Sequence, residues 1–368
     1  MIKNIKSQTE LSGLYIIYNG STLLEKPGWY GISHLMEHLV CKSFDDLNDD
    51  FDRDGISWNA YTETNLINFH FTGLEENLKK YRNKIFDRIF KFDVTKEQFE
   101  TERNIVLSEY EDYFNDQAYA HHMNLNRKMF NDFDPIGLRS DLEKMRFMDA
   151  IEFFELQYMR PSMVINVSKD FELRDIPVEF SDVTIDRNLV MGENQVELEL
   201  NNEFKDKSSI IFTAPLVESD FAKVNFITKM LSMGLQSPLY KEIREKMGLV
   251  YYINCYQGRF NKQGVLRIDT LTNNRNVDKL IKGVEQVLKD KDSVLNQARF
   301  DVVKASLKNK YKKQEILRFQ SVDKFFIPEE FQIEQIIDTL TLDDLAPVYE
   351  KYFDFSKYHI SNDKKEFR

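Results

Sequence analysis

The sequence has little of what disulfide scaffolds, nucleic-acid binders and membrane proteins require. Its 368 residues hold two cysteines, Cys41 and Cys255. Two thiols build no disulfide framework, so a reduced compartment is expected. Basic residues are outnumbered, 50 Lys and Arg against 61 Asp and Glu, for a net charge of -11. That balance argues against nucleic acid as a partner and is compatible with basic substrates. No apolar run approaches the ~20 residues needed to span a membrane. The opening MIKNIKSQTE has neither the apolar core of a signal peptide nor the Arg/Ser-rich pattern of a transit peptide. A soluble, cytoplasmic protein is the expectation. Apolar material is ample: 42% hydrophobic residues, with 29 Phe and 17 Tyr. The length suggests two domains of roughly 180 residues.

Along the chain, residues 11–20 read as a strand ending at an Asn-Gly turn. A helix follows, then an acid-rich loop at 45–54 and two strands within ISWNAYTETNLINFHFTG. Helices are expected near 75–91, 96–114, 116–130 and 146–158, with Thr95 and Gln98 at capping-box spacing. The strand SMVINVS closes the first half. The second half repeats this order, with strands QVELELNN and SSIIFTAP, helices at 219–233 and at SPLYKEIREKMG, and paired strands LVYYINCYQ and GVLRIDTLT. Helices near 276–289 and 294–313 follow, and NDKKEFR reads as a frayed tail. The halves superpose by pattern at an offset of roughly 195–200 residues. An α+β fold is expected, two pattern-related halves each with a mainly antiparallel sheet and helices packed on one face. The divisions are 1–180, a linker at 181–195, and 196–368.

The chemistry gathers in GISHLMEHLVCKSF (Gly31 to Phe44). His34 and His38, four residues apart, lie one above the other on one helical face, from which both can reach one tetrahedral metal. Glu37 borders that face and could accept a proton from an attacking water. The order H-x-x-E-H occurs among zinc enzymes. A catalytic zinc needs a third protein ligand. Glu102 and Glu109 offer it from the 96–114 helix, two turns apart on one face beside Ile105 and Val106. Their second-half counterparts are Phe300, Leu307 and Lys308, and the second half has no HLMEH. One metal site per chain is therefore expected, in the first half.

These residues carry a resemblance. The chain resembles the pitrilysin/insulysin family of zinc metallopeptidases, most of all the short members similar to mitochondrial processing peptidase. The family's H-x-x-E-H is His34, Glu37 and His38, and its E-x6-E is Glu102 to Glu109 in ERNIVLSE. Its N-A-x-T strand is Asn59, Ala60, Tyr61 and Thr62. SPLYKEIREKMGLVYY resembles the family's substrate-contacting segment. The resemblance implies Zn2+ on His34, His38 and Glu109, with Arg244 and Tyr251 acting on substrate and the reaction centre. It also implies a homodimer, or a heterodimer with a related chain, enclosing a chamber for peptides or unfolded segments. CKSF stands where many members have F-K-G-T, and Ile67 and Phe69 replace a usual Thr and Tyr.

The expected reaction is zinc-dependent peptide-bond hydrolysis, with Glu37 as the base. Arg244 and Tyr251 would stabilise the oxyanion, and Glu102 would orient the site from behind. The strand around Asn59, Ala60 and Tyr61 would take an extended peptide on its edge. The alternatives are a non-catalytic scaffold of the same fold and a metal-dependent peptide-binding module. DFDRDG at Asp50 to Gly55 imitates a calcium loop, but its twelfth position is Tyr61, so a solvated acidic loop is expected. Cys41 is a poor ligand, on another side of the helix. His70 reads as a sheet residue, and His121 and His122 as lying on a helix near the site or serving structure alone.

Overall fold

The computed structural model describes residues 1–7, 9–130, 134–181, 206–260, 263–316 and 336–366. By internal contacts the chain divides into two compact units, Met1–Phe114 with Asn131–Leu189 and Asn115–Phe130 with Val190–Arg368. Most of the expected linker, and the strand expected at QVELELNN, lie outside the described residues.

The first unit is built on strands β1 (Ile2–Lys6), β2 (Leu11–Asn19), β3 (Ser57–Thr62), β4 (Leu66–Leu74) and β5 (Met163–Ser168), in the order β1-β5-β2-β4-β3. All neighbours are antiparallel except β1, which runs parallel to β5. The β1 strand was not anticipated, since its partner lies some 160 residues away and its own pattern is largely polar. β2 is central, and its near-continuous apolar run is buried from Ser12 to Tyr18.

Helices α1 (Ile32–Lys42), α2 (Asn48–Arg53), α3 (Glu75–Phe90), α4 (Lys96–Phe114) and α5 (Gln117–Phe130) follow in order, then α6 (Arg139–Leu142) and α7 (Phe147–Phe153). The stretch 45–54 is thus largely helical rather than a loop: a short 3-10 turn at Asp45–Leu47 leads into α2, which buries Phe51. α4 opens with the anticipated capping box, in which Thr95 Oγ1 accepts from the Gln98 N–H at 3.2 Å and Gln98 Oε1 accepts from the Thr95 N–H at 2.8 Å. Phe99, Glu102, Val106, Tyr110 and Phe114 form its buried row. Ile105 is 42% exposed, so the apolar seam runs through Val106.

The second unit has strands β6 (Lys207–Leu216), β7 (Val250–Phe260), β8 (Gln263–Asn273), β9 (His359–Asn362) and β10 (Lys365–Glu366), in the order β10-β9-β6-β8-β7 and antiparallel throughout. The carboxy-terminal stretch is therefore part of the sheet as far as Glu366, not a frayed tail, because β10 folds back on β9. Helices α8 (Phe221–Ser232), α9 (Val277–Lys289), α10 (Lys291–Val294), α11 (Gln297–Ile316) and α12 (Leu342–Tyr352) complete it, with a π-helical segment at Tyr240–Lys246. Ile210, Phe212, Leu266 and Ile268 turn one sheet face into the core shared with α8, α9 and α12. The opposite face carries Ser209, Arg267 and Asp269, and there α5 packs, its His121 and Asn126 bonded to Ser209 and Arg267. Among the described residues no helix is long and apolar enough to cross a membrane.

Candidate metal centre

The entry to α1 is shaped by backbone geometry. Gly31 has φ +102°, and a Cβ there would lie 3.0 Å from both the Ile136 carbonyl oxygen and Leu142 Cδ2. Only glycine accepts that conformation and that approach. The Glu25 carboxylate caps the helix, accepting from the N–H groups of Gly31 at 3.0 Å and Ser33 at 2.9 Å. Ile32, Leu35, Met36, Leu39 and Val40 are buried, which leaves His34, Glu37 and His38 at the helix's partly open side.

There the rings of His34 and His38 meet edge to face with centroids 4.7 Å apart. Glu109 Oε2 stands 3.7 Å from Nε2 of each. Ligand atoms of the three residues all lie within 4.8 Å of one another, the one such group among the described residues. Zinc–ligand bonds of about 2.0–2.2 Å put tetrahedral ligand atoms about 3.3–3.6 Å apart, so this set closes on a zinc ion with little movement. The donor chemistry agrees: two imidazoles and one carboxylate leave a fourth position open. Burial, reinforced by neighbouring His38, lowers the pKa of His34 to about 3, so this imidazole is neutral and able to ligate. Among the described residues there is therefore one Zn2+ site, on His34, His38 and Glu109.

Glu102 stands behind the site. It is only 6% exposed, and its Oε2 lies 3.4 Å from His38 Nδ1. A proton on Nδ1 shared with this carboxylate leaves Nε2 as the metal-facing atom. Glu37 belongs to neither pair. Burial raises its pKa, an effect opposed by a hydrogen bond from Thr62 and by His38 and reinforced by Glu109. The Thr62 hydroxyl donates to Glu37 Oε2 at 2.5 Å. Cys41 is outside the ligand trio, and burial with the nearby Glu37 and Glu102 pushes its thiol well up.

Asn59, Ala60 and Tyr61 lie on β3, whose one neighbour among the described residues is β4. The Glu63 N–H donates to the Leu66 carbonyl at 2.8 Å, closing the hairpin. By alternation, the N–H and C=O groups of Trp58, Ala60 and Thr62 point to the open edge. Asn59 Oδ1 accepts the Ala60 N–H at 2.9 Å, so the side chain occupies a donor an added strand would use.

Arg244 and Tyr251 belong to the second unit and are neighbours there. The Arg244 guanidinium carbon lies 4.9 Å from the Tyr251 ring centroid and 4.4 Å from that of Tyr240. A register shift between Val250 and Ile253 forms a bulge, which leaves Tyr251 80% exposed. Three other histidines have structural partners: His70 stacks on Tyr15 within the first sheet. His121 is buried between Ser209 Oγ at 2.9 Å and Ser361 Oγ at 2.8 Å. His122 Nε2 lies 3.6 Å from Asp269 Oδ2. Two contributions were missed in the sequence, the Glu25 cap and the bond from Thr62 to Glu37. Glu25 caps across a loop rather than from a capping position, and the N-A-x-T strand marks Thr62 without saying what its hydroxyl meets.

Comparison with known proteins agrees with this geometry. Residues 2–135 match the insulinase family, Peptidase family M16, and residues 165–307 match the Peptidase M16 inactive domain. An uncharacterized zinc protease of Rickettsia felis is 25% identical over 354 residues, covering 88% of this chain and 85% of that one. Its counterpart in Rickettsia bellii is 24% identical over 367 residues, covering 90% and 87%. A protease from Helicobacter pylori superposes with a TM-score of 0.79 at 17% identity, covering 98% of this chain and 96% of that one. A peptidase M16 inactive domain from Pseudomonas fluorescens gives 0.75 at 13% identity, covering 98% and 94%.

Proposed function

We propose, for a chain that has the fold of the M16/insulinase-family zinc metallopeptidases and their zinc motif, an endopeptidase that cleaves extended peptides or unfolded segments. The observation that carries this is the convergence of His34, His38 and Glu109 with a half-buried Glu37, outside the ligand trio, beside them. Zinc, when bound, supplies the Lewis acidity that makes water a nucleophile near neutral pH. Glu37 takes the proton of the attacking water and returns it to the leaving amine. Its raised pKa suits both transfers, since the acceptor must also give the proton back. Glu102 holds His38 in one tautomer and orientation. The open edge of β3 binds the substrate backbone as an added strand, with the Ala60 N–H released by Asn59.

Arg244, held between Tyr240 and Tyr251, is arranged to grip a substrate carbonyl or the developing oxyanion. The likeness to short processing-peptidase-like chains supports a homodimer, or a heterodimer with a related chain, whose substrate is enclosed, and the two lone cysteines support a reducing, cytoplasmic location. The test is metal analysis together with cleavage of a quenched peptide, with and without chelator, on the unmutated chain and on Glu37→Gln. We expect about one zinc per chain in both, and turnover in Glu37→Gln reduced at least ~100-fold. A chain that holds zinc and binds the peptide without cleaving it would be a non-catalytic subunit.

A further inference from the structure

We propose that Thr62 is a positioning residue for this reaction, fixing the Glu37 carboxylate from the strand on which the peptide docks. Thr62 is the last residue of β3, and its hydroxyl has a single proton to give. That proton goes to Glu37 Oε2 at 2.5 Å, the short distance of a charge-assisted bond. It is the one side-chain hydrogen bond Glu37 makes among the described residues. One carboxylate oxygen is therefore held, and the other is left to receive a proton.

The two faces of Thr62 do different things. Its side chain reaches α1, while its N–H and C=O belong to the open edge of β3. A peptide laid along that edge would bond to the same residue that holds the base. The stiffness of a β-branched side chain at χ1 transmits the strand's position to the carboxylate. Packing alone gives no reason for the hydroxyl, because valine fills the same volume. The sequence places Thr62 directly after Asn59, Ala60 and Tyr61, which is where a link between docking strand and base would stand.

This inference rests on Glu37 as the base, and the experiment separates the two ideas. Thr62→Val and Thr62→Ser are made in the unmutated chain and in Glu37→Gln. Zinc content, kcat and KM for a quenched peptide are measured, with equilibrium binding of that peptide to the Glu37→Gln chains by fluorescence anisotropy. Thr62→Val is expected to lower kcat roughly 10- to 100-fold while zinc content and KM stay within about twofold. Thr62→Ser restores most of kcat. In Glu37→Gln, adding Thr62→Val costs no further turnover and leaves peptide affinity within about twofold, since both changes act through one group.

Equal factors in the two backgrounds would overturn the inference, as would a raised KM with kcat unchanged. A serine variant as impaired as the valine one would do the same. If Glu37→Gln itself retained turnover, the assignment of the base would fail first, and the link from Thr62 with it.

Discussion

Nδ1 of His38 stands 3.4 Å from Oε2 of Glu102, so a buried carboxylate on α4 and a zinc ligand on α1 satisfy each other. A carboxylate in the row between Phe99 and Val106 is costly to bury without such a partner. Glu102→Gln is expected to keep zinc at about one per chain under saturating metal, while zinc affinity falls about 10- to 100-fold. Competition against a chelator of known affinity measures this. Unchanged affinity would mean that Glu102 only fills space.

Glu109 is the carboxylate whose oxygen faces both Nε2 atoms. Glu109→Gln should lose zinc on dialysis, because a neutral amide replaces an anionic ligand poorly. Metal analysis of the dialysed chain decides the matter. If Glu109→Gln kept its zinc and Glu102→Gln lost it, the third ligand would have to be moved two turns along α4.

His121 is expected to make the second unit acid-sensitive. Burial, with His122 and Arg267 nearby, lowers its pKa from 6.5 to about 3. It folds as a neutral ring between two serine hydroxyls. A group whose folded pKa is depressed contributes fully above its unfolded pKa, near 6.5. That stability is lost as pH falls from there towards about 3. At pH 5 the loss is roughly 2 kcal/mol. Thermal melts of the unmutated chain should therefore drop more steeply between pH 7 and pH 5 than those of His121→Gln. Parallel curves would show that His121 already has the same protonation behaviour folded and unfolded.

In the proposed dimer, Arg244 is expected to serve the zinc of the partner chain. Glu37→Gln and Arg244→Ala chains should each be nearly inactive alone. Mixed in equal amounts after dissociation, about half the dimers are hybrid, each with one complete site, and activity recovers to roughly a quarter. A mixture shown to contain hybrids yet still inactive would place Arg244 with its own chain's zinc.

The zinc motif was legible because its geometry is local. His34 and His38 are one helical turn apart, and Glu102 and Glu109 two, so spacing marks each pair, while the choice of Glu109 as third ligand came from the family resemblance. The two sheets and most helices followed from periodicity and caps such as Thr95 with Gln98. What stayed hidden is what long-range pairing decides. Ile2–Lys6 becomes a strand only by lying beside Met163–Ser168, and Lys365–Glu366 only by folding onto β9. Thr62 meets Glu37 from 25 positions further along the chain, and a hydroxyl gives no periodic signal. Tyr251 owes its exposure to a bulge that no residue pattern announces.

Helix α5 has a consequence for how the protein can be made and cut. It begins three positions after α4 ends, yet it packs against strands from beyond residue 206, and the chain then returns to the first unit. During synthesis, α5 emerges from the ribosome well before the sheet it covers. Until β6, β8 and β9 arrive, His121, Asn126 and Arg267 have no lasting arrangement. No single cut releases both units whole: a fragment ending near 180 keeps a helix without its sheet, and the complementary piece keeps a sheet with one face bare. Dissecting the molecule requires moving residues 117–130 across the join, or accepting that neither piece is native.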